Sequence, residues 1–197
     1  HDSIMTYLNH YKLIAQAQSG FRKNHSCETA LVHIIDKWLQ AINDGCIVGV
    51  VLVDFKKAFD LVDHNILLQK LTLYKCSKRT LNWFKSYLFD RKQSVNLNGV
   101  MSSERNITCG VPQGSILGPL LFLLFINDLP LYISDDISYT DMDADDTTIH
   151  NIHRSIDTVQ RNLQTCLNNL ENWCKLHGMI LNTDKTKVLL ITTPHKR

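Results

Sequence analysis

Three aspartates in this sequence can act together if folding brings them close. Asp54 ends an apolar run that starts at Ile47, and the pair Asp145-Asp146 follows Ala144 much later in the chain. Carboxylates held at strand ends can bind two divalent cations about 3.5–4 Å apart, which clamp the attacking and leaving oxygens of a phosphoryl transfer. This layout predicts a nucleotidyl-transfer site.

Each acidic motif also has an ordinary structural interpretation. A single Asp after a strand is commonly a helix N-cap, and the Asp-Asp pair can belong to a solvated acidic loop. Adjacent carboxylates repel each other, so grouping them costs stability unless cations neutralise the charge. The pair Asp145-Asp146 therefore favours metal, whereas Asp54 alone fits the cap better.

Two further motifs lie along the same chain. A glycine- and proline-rich turn, 110–115, opens an apolar helix. Glycines let the backbone approach a ligand closely, and the free N–H groups of a helix start can bind phosphate or a base. Later, Lys185 could protonate a leaving pyrophosphate. A plain loop-to-helix turn and a solvated lysine are the alternative interpretations.

The elements that must position these residues follow from hydrophobic periodicity. The continuous, β-branched run Ile47–Val53 predicts a buried strand. Ser26 can cap a preceding helix, and two short helices are expected at 64–74 and 80–89. The apolar face of the helix after Ser26 is expected to consist of Leu31, Ile34, Ile35, Trp38, Leu39 and Ile42.

The second half of the chain predicts further helices and hairpins. Asn98-Gly99 is a strong hairpin signal. The remaining expected elements are hairpin strands 93–97 and 100–108, a buried helix 115–132 with Pro119 in its first turn, strands 139–143 and 146–150, an amphipathic helix from Ser155 to Gly178, and a closing strand pair 179–181 with 187–192. Because helices and hairpins interleave without regular β-α alternation, the fold class is α+β.

Composition sets limits on function. The 197 residues, 44% of them hydrophobic, suit one folded domain, and the net charge of +2 is only a weak indication of polyanion binding. The scattered cysteines form no Cys-x-x-Cys pair, which argues against zinc. No secretory signal precedes them, which favours a reduced, intracellular chain. The longest apolar stretch, 116–126, is too short to span a membrane. A start at His1 suggests a piece of a longer protein.

In their order, five stretches resemble the palm of a reverse transcriptase of the non-long-terminal-repeat (LINE-type) retrotransposon branch. They are 18–26, 54–64, 110–119 continuing into 122–130, 144–147, and 181–182 with 185–186. The resemblance covers 18–193. It implies a palm-like antiparallel sheet packed on helices. It further implies a single partial domain over 1–197, with a partial fingers segment at 1–46, mainly palm at 47–193, and no thumb.

The resemblance also implies a role for each matching residue. Asp54 and Asp145 would bind two Mg²⁺ ions, for which Mn²⁺ can substitute, with support from Asp146 and from the Phe55 carbonyl. Lys185 would act as the acid. Phe59, Gln113 and Gly114 would contact the nucleotide, with the Phe59 ring crowding a ribose 2′-hydroxyl. Arg22, Lys23 and Pro112 would contact the template, although a solvated basic turn explains Arg22 and Lys23 equally well.

The implied reaction is RNA-directed DNA synthesis, with an RNA template, a DNA primer and dNTPs as partners and no membrane. The compartment, nuclear or cytoplasmic, stays open. One departure is Asp143, which stands where the family usually has an aromatic residue and adds a further negative charge. Asp143, together with the missing fingers and thumb parts, predicts that the isolated fragment has weak polymerase activity or none. The alternative function is a decayed, inactive copy that at most binds RNA.

A different enzyme class, aspartyl phosphotransfer, fits the sequence less well. A receiver domain places its acidic pair before the phosphorylated Asp, whereas here the pair comes after Asp54. A haloacid-dehalogenase-like phosphatase needs a second Asp two positions on, where Lys56 stands.

Overall fold

The computed structural model describes residues 2–133 and 138–193, and its centre is an antiparallel sheet. Four strands lie in the order β6-β7-β1-β8. Their bounds are β1 Ile47–Val53, β6 Ser138–Asp143, β7 Asp146–His153 and β8 Lys187–Ile191. The helices are α1 Asp2–His10, α2 Cys27–Asn43, α3 His64–Leu73, α4 Lys78–Leu88, α5 Gly118–Ile126, α6 Leu129–Ile133 and α7 Ile156–His177. The predicted α+β class is confirmed.

Strand β1 is the centre of the sheet because β7 and β8 pair with it from either side. Its bounds are those predicted from the sequence. Val48 and Val50 face α2, while Val51 and Val53 face the larger core that contains α5 and α7. Gly49 allows α7 to pack closely, since a Cβ atom there would lie 2.3 Å from a Val159 methyl group.

Helix α2 begins as predicted, but its expected apolar face is only partly buried. Ser26 accepts a hydrogen bond from the Thr29 N–H at 3.2 Å, and the Thr29 hydroxyl accepts one from the Ser26 N–H, which completes a capping box. Ile34 is buried, whereas Leu31 and Leu39 are more than half exposed and Ile35 is also exposed. The helix contacts the sheet through a narrower stripe than the sequence predicts.

The single helix expected over 115–132 is wrong, because the chain forms α5 and α6 with a break between them. Pro130 cannot donate to the Ile126 carbonyl and disfavours helical backbone in the residue before it. The break is stabilised by side chains. Asn127 donates to the Leu13 carbonyl at 2.8 Å, and the buried Lys70 ammonium lies 2.6 Å from the Asp128 carboxylate.

The predicted hairpin turn at Asn98-Gly99 is present, with φ values of 52° and 84° that suit a type I′ turn. Its strands are shorter than predicted. They form two separate two-stranded ladders. Strand β3 Asn96–Leu97 pairs with β4 Val100–Met101, and β2 Lys92–Gln93 pairs with β5 Arg105–Asn106.

The expected pairing of 179–181 with 187–192 is wrong. Strand β8 pairs with β1 instead, and Leu181 forms an isolated bridge with Phe55. The segment between them turns around the end of β1, where the Asn182 N–H donates to the Asp54 carbonyl at 2.8 Å. The last strand, β8, therefore pairs with the side of β1 that β7 does not occupy. Helix α1 was not predicted. Within the described part of the chain, no helix has the length and apolarity that crossing a membrane requires.

Candidate active site

The three aspartates predicted from the sequence lie at one end of the sheet. In the antiparallel register of β1 and β7, Val53 is opposite Thr147, which puts Asp54 beside Asp146. Asp145 lies in the two-residue turn between β6 and β7, where Ala144 has a left-handed φ of 60°. Strand pairing therefore joins residues that are far apart in sequence.

The charges in this group affect one another. The pKa of Asp146 is raised by partial burial and by the negative charges of Asp145, Asp54 and Asp143. A bound cation would relieve this repulsion, so the donor set fits a hard divalent metal. Among residues 2–133 and 138–193, no group of three or more His, Cys, Asp or Glu side chains is placed to hold a metal ion. Mg²⁺ does not need such a cage, because it retains water and binds substrate phosphates.

The Asp54 side chain is oriented by the turn that follows Leu181. The Asn182 amide donates to a carboxylate oxygen of Asp54 at 2.7 Å. The Thr186 hydroxyl accepts from the Asp54 N–H at 3.4 Å. Asn182 and Thr186 belong to a stretch quoted for the family resemblance, but the sequence predicted no role for either. A side chain that orients a carboxylate across the sheet end leaves no periodic signal.

Gln18 holds the turn that carries Asp145. Its side chain is fully buried. The side-chain oxygen Oε1 accepts hydrogen bonds from the backbone N–H groups of Ala144 at 3.0 Å and Gly20 at 2.7 Å. Its amide donates to the Ala144 carbonyl at 3.4 Å. The backbone next to it pairs in parallel with Met142 of β6. Sequence reasoning did not identify this contact.

Asp143, the departure from the family pattern, faces the start of α2. Its carboxylate accepts a short hydrogen bond from the Cys27 thiol, in the first turn of α2. A helix N-terminus favours negative charge. On the same side Gly20 fits closely, since a Cβ atom there would lie 2.8 Å from an Asp143 carboxylate oxygen. Asp143 is thus tied to the N-terminal segment while its charge still acts on Asp146.

An open cleft of about 660 Å³ contains most of the predicted site residues. Its lining includes Asp54, Phe55, Phe59, Gln113, Asp145 and Lys185. Pro112 lines a neighbouring cleft that also contains Gln113. Gly114 is exposed and has a φ of 78°, which suits glycine.

Phe59 packs against the core and also lines the cleft. Its ring stacks on Phe122 with centroids 4.2 Å apart, and it meets the Phe21 ring edge-on at 6.3 Å. The same half-buried ring lines the cleft. The core contact fixes the ring against the wall beside Asp54.

The predicted template residues Arg22 and Lys23 lie apart from this cleft and differ from each other. The Arg22 guanidinium donates to the backbone carbonyl of Gln18 at 2.7 Å and to the backbone carbonyl of Ala15 at 3.4 Å. Burial lowers its pKa. Lys23 is exposed. Arg22 therefore supports the backbone around Gln18, and Lys23 is the more accessible of the two cations.

Comparison with known proteins agrees with this geometry. The family model described as reverse transcriptase (RNA-dependent DNA polymerase) matches residues 2–196. The probable RNA-directed DNA polymerase from transposon BS of Drosophila melanogaster is 33% identical over 185 residues, covering 89% of this chain and 20% of that protein. The RNA-directed DNA polymerase from mobile element jockey of the same species is 32% identical, covering 88% of this chain and 19% of that protein. The chain thus spans about a fifth of the length of these relatives.

Solved structures show the same fold at low identity. A telomerase from Candida tropicalis, truncated from the C-terminal domain, has a TM-score of 0.72 at 14% identity and covers 98% of this chain and 40% of its own. A Candida albicans telomerase in complex with a telomeric RNA fragment has a TM-score of 0.69 at 15% identity, covering 94% and 34%.

Proposed function

The chain belongs to the reverse transcriptase (RNA-dependent DNA polymerase) family, and on this premise we propose that it transfers a nucleotide from a dNTP to the 3′-hydroxyl of a DNA primer on an RNA template. The observation that carries the proposal is the register of β1 and β7, which puts Asp54 beside Asp146. Asp145, in the turn between β6 and β7, lines the same cleft as Asp54, whereas Asp146 lines a groove beside α2 together with Cys27 and Asp143.

Asp54 and Asp145 are the proposed ligands for two Mg²⁺ ions or for Mn²⁺ in their place. The Phe55 carbonyl and Asp146 complete the set. When bound, the two ions neutralise phosphate charge and activate the attacking hydroxyl. The chain's own contribution is orientation, because the Asn182 amide donates to Asp54 at 2.7 Å and Gln18 supports the turn of Asp145.

The remaining proposed roles concern the substrates. Lys185, exposed at the cleft, would protonate the leaving pyrophosphate. The Phe59 ring, fixed by Phe122, would exclude a ribose 2′-hydroxyl. Gln113 and Gly114 would contact the nascent base pair, and Pro112, Arg22 and Lys23 the template.

The same proposal divides the chain into a partial fingers segment, 1–46, and a palm, 47–193. The sheet and α7 lie within the second range. The first range contributes α2 to one face of the sheet and Gln18 to the catalytic turn. Substrate grip would depend on parts that the relatives have beyond this range.

A primer-extension assay tests the function. The chain is supplied with Mg²⁺, dNTPs and an RNA template annealed to a DNA primer. We expect weak extension that Asp145→Ala and Asp54→Asn abolish and that Mn²⁺ supports as well. Extension that persists in both variants would show that the activity comes from elsewhere.

A second candidate is an inactive copy that retains the fold and at most binds RNA. Asp143 favours it, because its charge adds to the repulsion on Asp146. Calorimetric titration with Mn²⁺ separates the two. An active site should bind Mn²⁺ and lose that binding in Asp54→Ala, whereas an inactive copy should show no Asp54-dependent binding.

A further inference from the structure

Helix α4 and the chain just after it carry aromatic and cationic side chains that the proposed chemistry does not use. Arg79, Trp83 and Tyr87 stand at every fourth position within the helix, and residues four apart on a helix lie on the same face. Arg91 lies two residues beyond the C-cap Phe89, outside the helix, and its guanidinium lies over the Tyr87 ring. We call these four residues the α4 stripe.

The two rings of the α4 stripe lie parallel to each other, with Trp83 exposed and Tyr87 half-buried against the core. The Trp83 and Tyr87 rings are nearly parallel, at 9°, with centroids 5.7 Å apart. The Arg91 guanidinium lies 5.5 Å from the Tyr87 ring centroid. Trp83 is 53% exposed. Nucleic-acid bases stack on exposed rings of this kind without regard to sequence, and Arg adds a cation–π contribution.

The charge around the α4 stripe favours a polyanion. The segment 78–92 has one acidic residue, Asp90, and its basic residues Lys78, Arg79, Lys85, Arg91 and Lys92 are all exposed. The whole chain has a net charge of only +2. Lys92 is paired with Glu104 at 3.1 Å, so Lys78, Arg79, Lys85 and Arg91 supply the positive charge near the aromatic rings, which matches the pattern of single-strand binding surfaces.

Open space lies along Trp83. One groove of about 470 Å³ is lined by Trp83, Tyr87 and Ile116, and another of about 290 Å³ by Arg79 and Trp83. Ile4 contributes to both. A planar group therefore has access to the indole ring.

The α4 stripe approaches the active site through Arg91. A cleft of about 740 Å³ is lined by Arg91, Gln93 and His64, and it shares Lys57, Leu61 and Gln113 with the cleft of Asp54 and Asp145. Arg91 in turn lies over Tyr87. Arg91 therefore connects the α4 stripe with the cleft beside the active site, while Trp83 and Tyr87 line separate grooves.

We propose that the α4 stripe binds unpaired nucleotides of the RNA strand that passes through the active site. Stacking on Trp83 and Tyr87 would hold the bases, while Arg79 and Arg91 would contact phosphates. The template is the strand that is unpaired beyond the primer end, which is why RNA is the proposed occupant. This inference rests on the proposed function for its ligand, but its test measures binding alone.

The test is fluorescence anisotropy with a labelled duplex that carries an unpaired 5′ template overhang of about 12 nucleotides. The same duplex without the overhang is the comparison, and an RNA overhang is compared with a DNA one. We expect the RNA overhang to tighten binding at least about fivefold in the unaltered chain, and Trp83→Ala/Tyr87→Ala to remove that gain. Tyr132→Ala, which changes a half-exposed aromatic residue outside the stripe, should retain it.

A second variant tests the charges. Arg79→Ala/Arg91→Ala should reduce the slope of log affinity against log salt by about 1.4, which is about 0.7 for each lost phosphate contact to a single strand. An overhang gain that survives in both double variants overturns the proposal, as does a gain seen with DNA but not with RNA. Asp54→Asn should lose extension and keep the overhang gain, so failure of the proposed function and failure of this inference are distinguishable.

Discussion

At the scale of single residues, Asp146 is where the electrostatic strain of the site is visible. Its pKa is raised by partial burial and by three neighbouring carboxylates. An acid whose pKa is raised on folding contributes stability below its ordinary pKa, near pH 4, and loses that contribution as pH rises through the raised value. Near pH 7 the charged group therefore destabilises the fold.

Asp146→Asn should consequently raise the melting temperature near pH 7 in metal-free buffer, and the difference from the unaltered chain should shrink toward pH 4. Mn²⁺ at tenfold its dissociation constant should stabilise the unaltered chain by about 1.4 kcal/mol, or roughly 3–6 °C. It should stabilise the variant less. Asp184→Asn, which removes an exposed carboxylate on the neighbouring turn, is the control. Equal behaviour of the two variants would contradict the proposed carboxylate cluster.

Gln18 supports the turn between β6 and β7 from a fully buried position. Gln18→Leu leaves the Ala144 and Gly20 N–H groups without their acceptor, and a buried unsatisfied donor costs about 1–3 kcal/mol. We expect lower stability and weaker Mn²⁺ binding, measured by calorimetry well below the melting temperature. The control is Gln16→Leu, because Gln16 is exposed. Weaker folding with unchanged Mn²⁺ affinity would mean that Gln18 is structural only.

At the scale of elements, the two longest helices begin with serines that act differently. Ser26 forms a capping box at α2, whereas the Ser155 side chain makes no capping hydrogen bond at α7. Ser26→Ala should cost about 1 kcal/mol of unfolding free energy, measured by urea titration. Ser155→Ala should cost clearly less. A larger loss from Ser155→Ala would contradict the capping geometry.

Sequence patterns predicted the elements that depend on local periodicity. The bounds of β1, the start of α2 and the Asn98-Gly99 turn follow from runs, caps and turn chemistry that act over a few residues. The partner of β8 did not follow, because strand pairing depends on which side of β1 stays open after β7 has paired. The break at Asn127 depends on Pro130 and on Lys70. Lys70 is too far away in the sequence to be part of any local pattern.

Local sequence patterns likewise predict only some of the residues in the candidate site. The order of the acidic motifs predicted that Asp54, Asp145 and Asp146 act together, and the strand ends predicted from the sequence bring these residues to one end of the sheet. Gln18 and Asn182 act through single hydrogen bonds to distant residues, and such contacts leave no periodic trace. Arg22 was predicted to contact the template, which stays a prediction, and its Nη1 donates to the backbone carbonyls of Ala15 and Gln18.

At the scale of the whole molecule, stability should be distributed unevenly. Strand β1 is paired on both sides and covered by α2 and α7, whereas the β3–β4 hairpin exposes Leu97 and Val100 at 70% and 73%. Amide hydrogen exchange should be slowest in β1 and β7 and fastest in the hairpin. Exchange of β1 as fast as the hairpin would show that the sheet does not form the stable centre.

The two edges of the central sheet differ. Beside β6 the edge is met by the backbone around Gln18, while β8 is an outer strand with Val188 and Leu190 more than half exposed. Within residues 2–133 and 138–193 no strand pairs with the outer side of β8, and an apolar edge without a partner strand attracts another one. A further strand, from a neighbouring segment or from a second molecule, would therefore add beside β8. At high concentration the isolated chain should self-associate through β8, and covering this strand should keep it in solution.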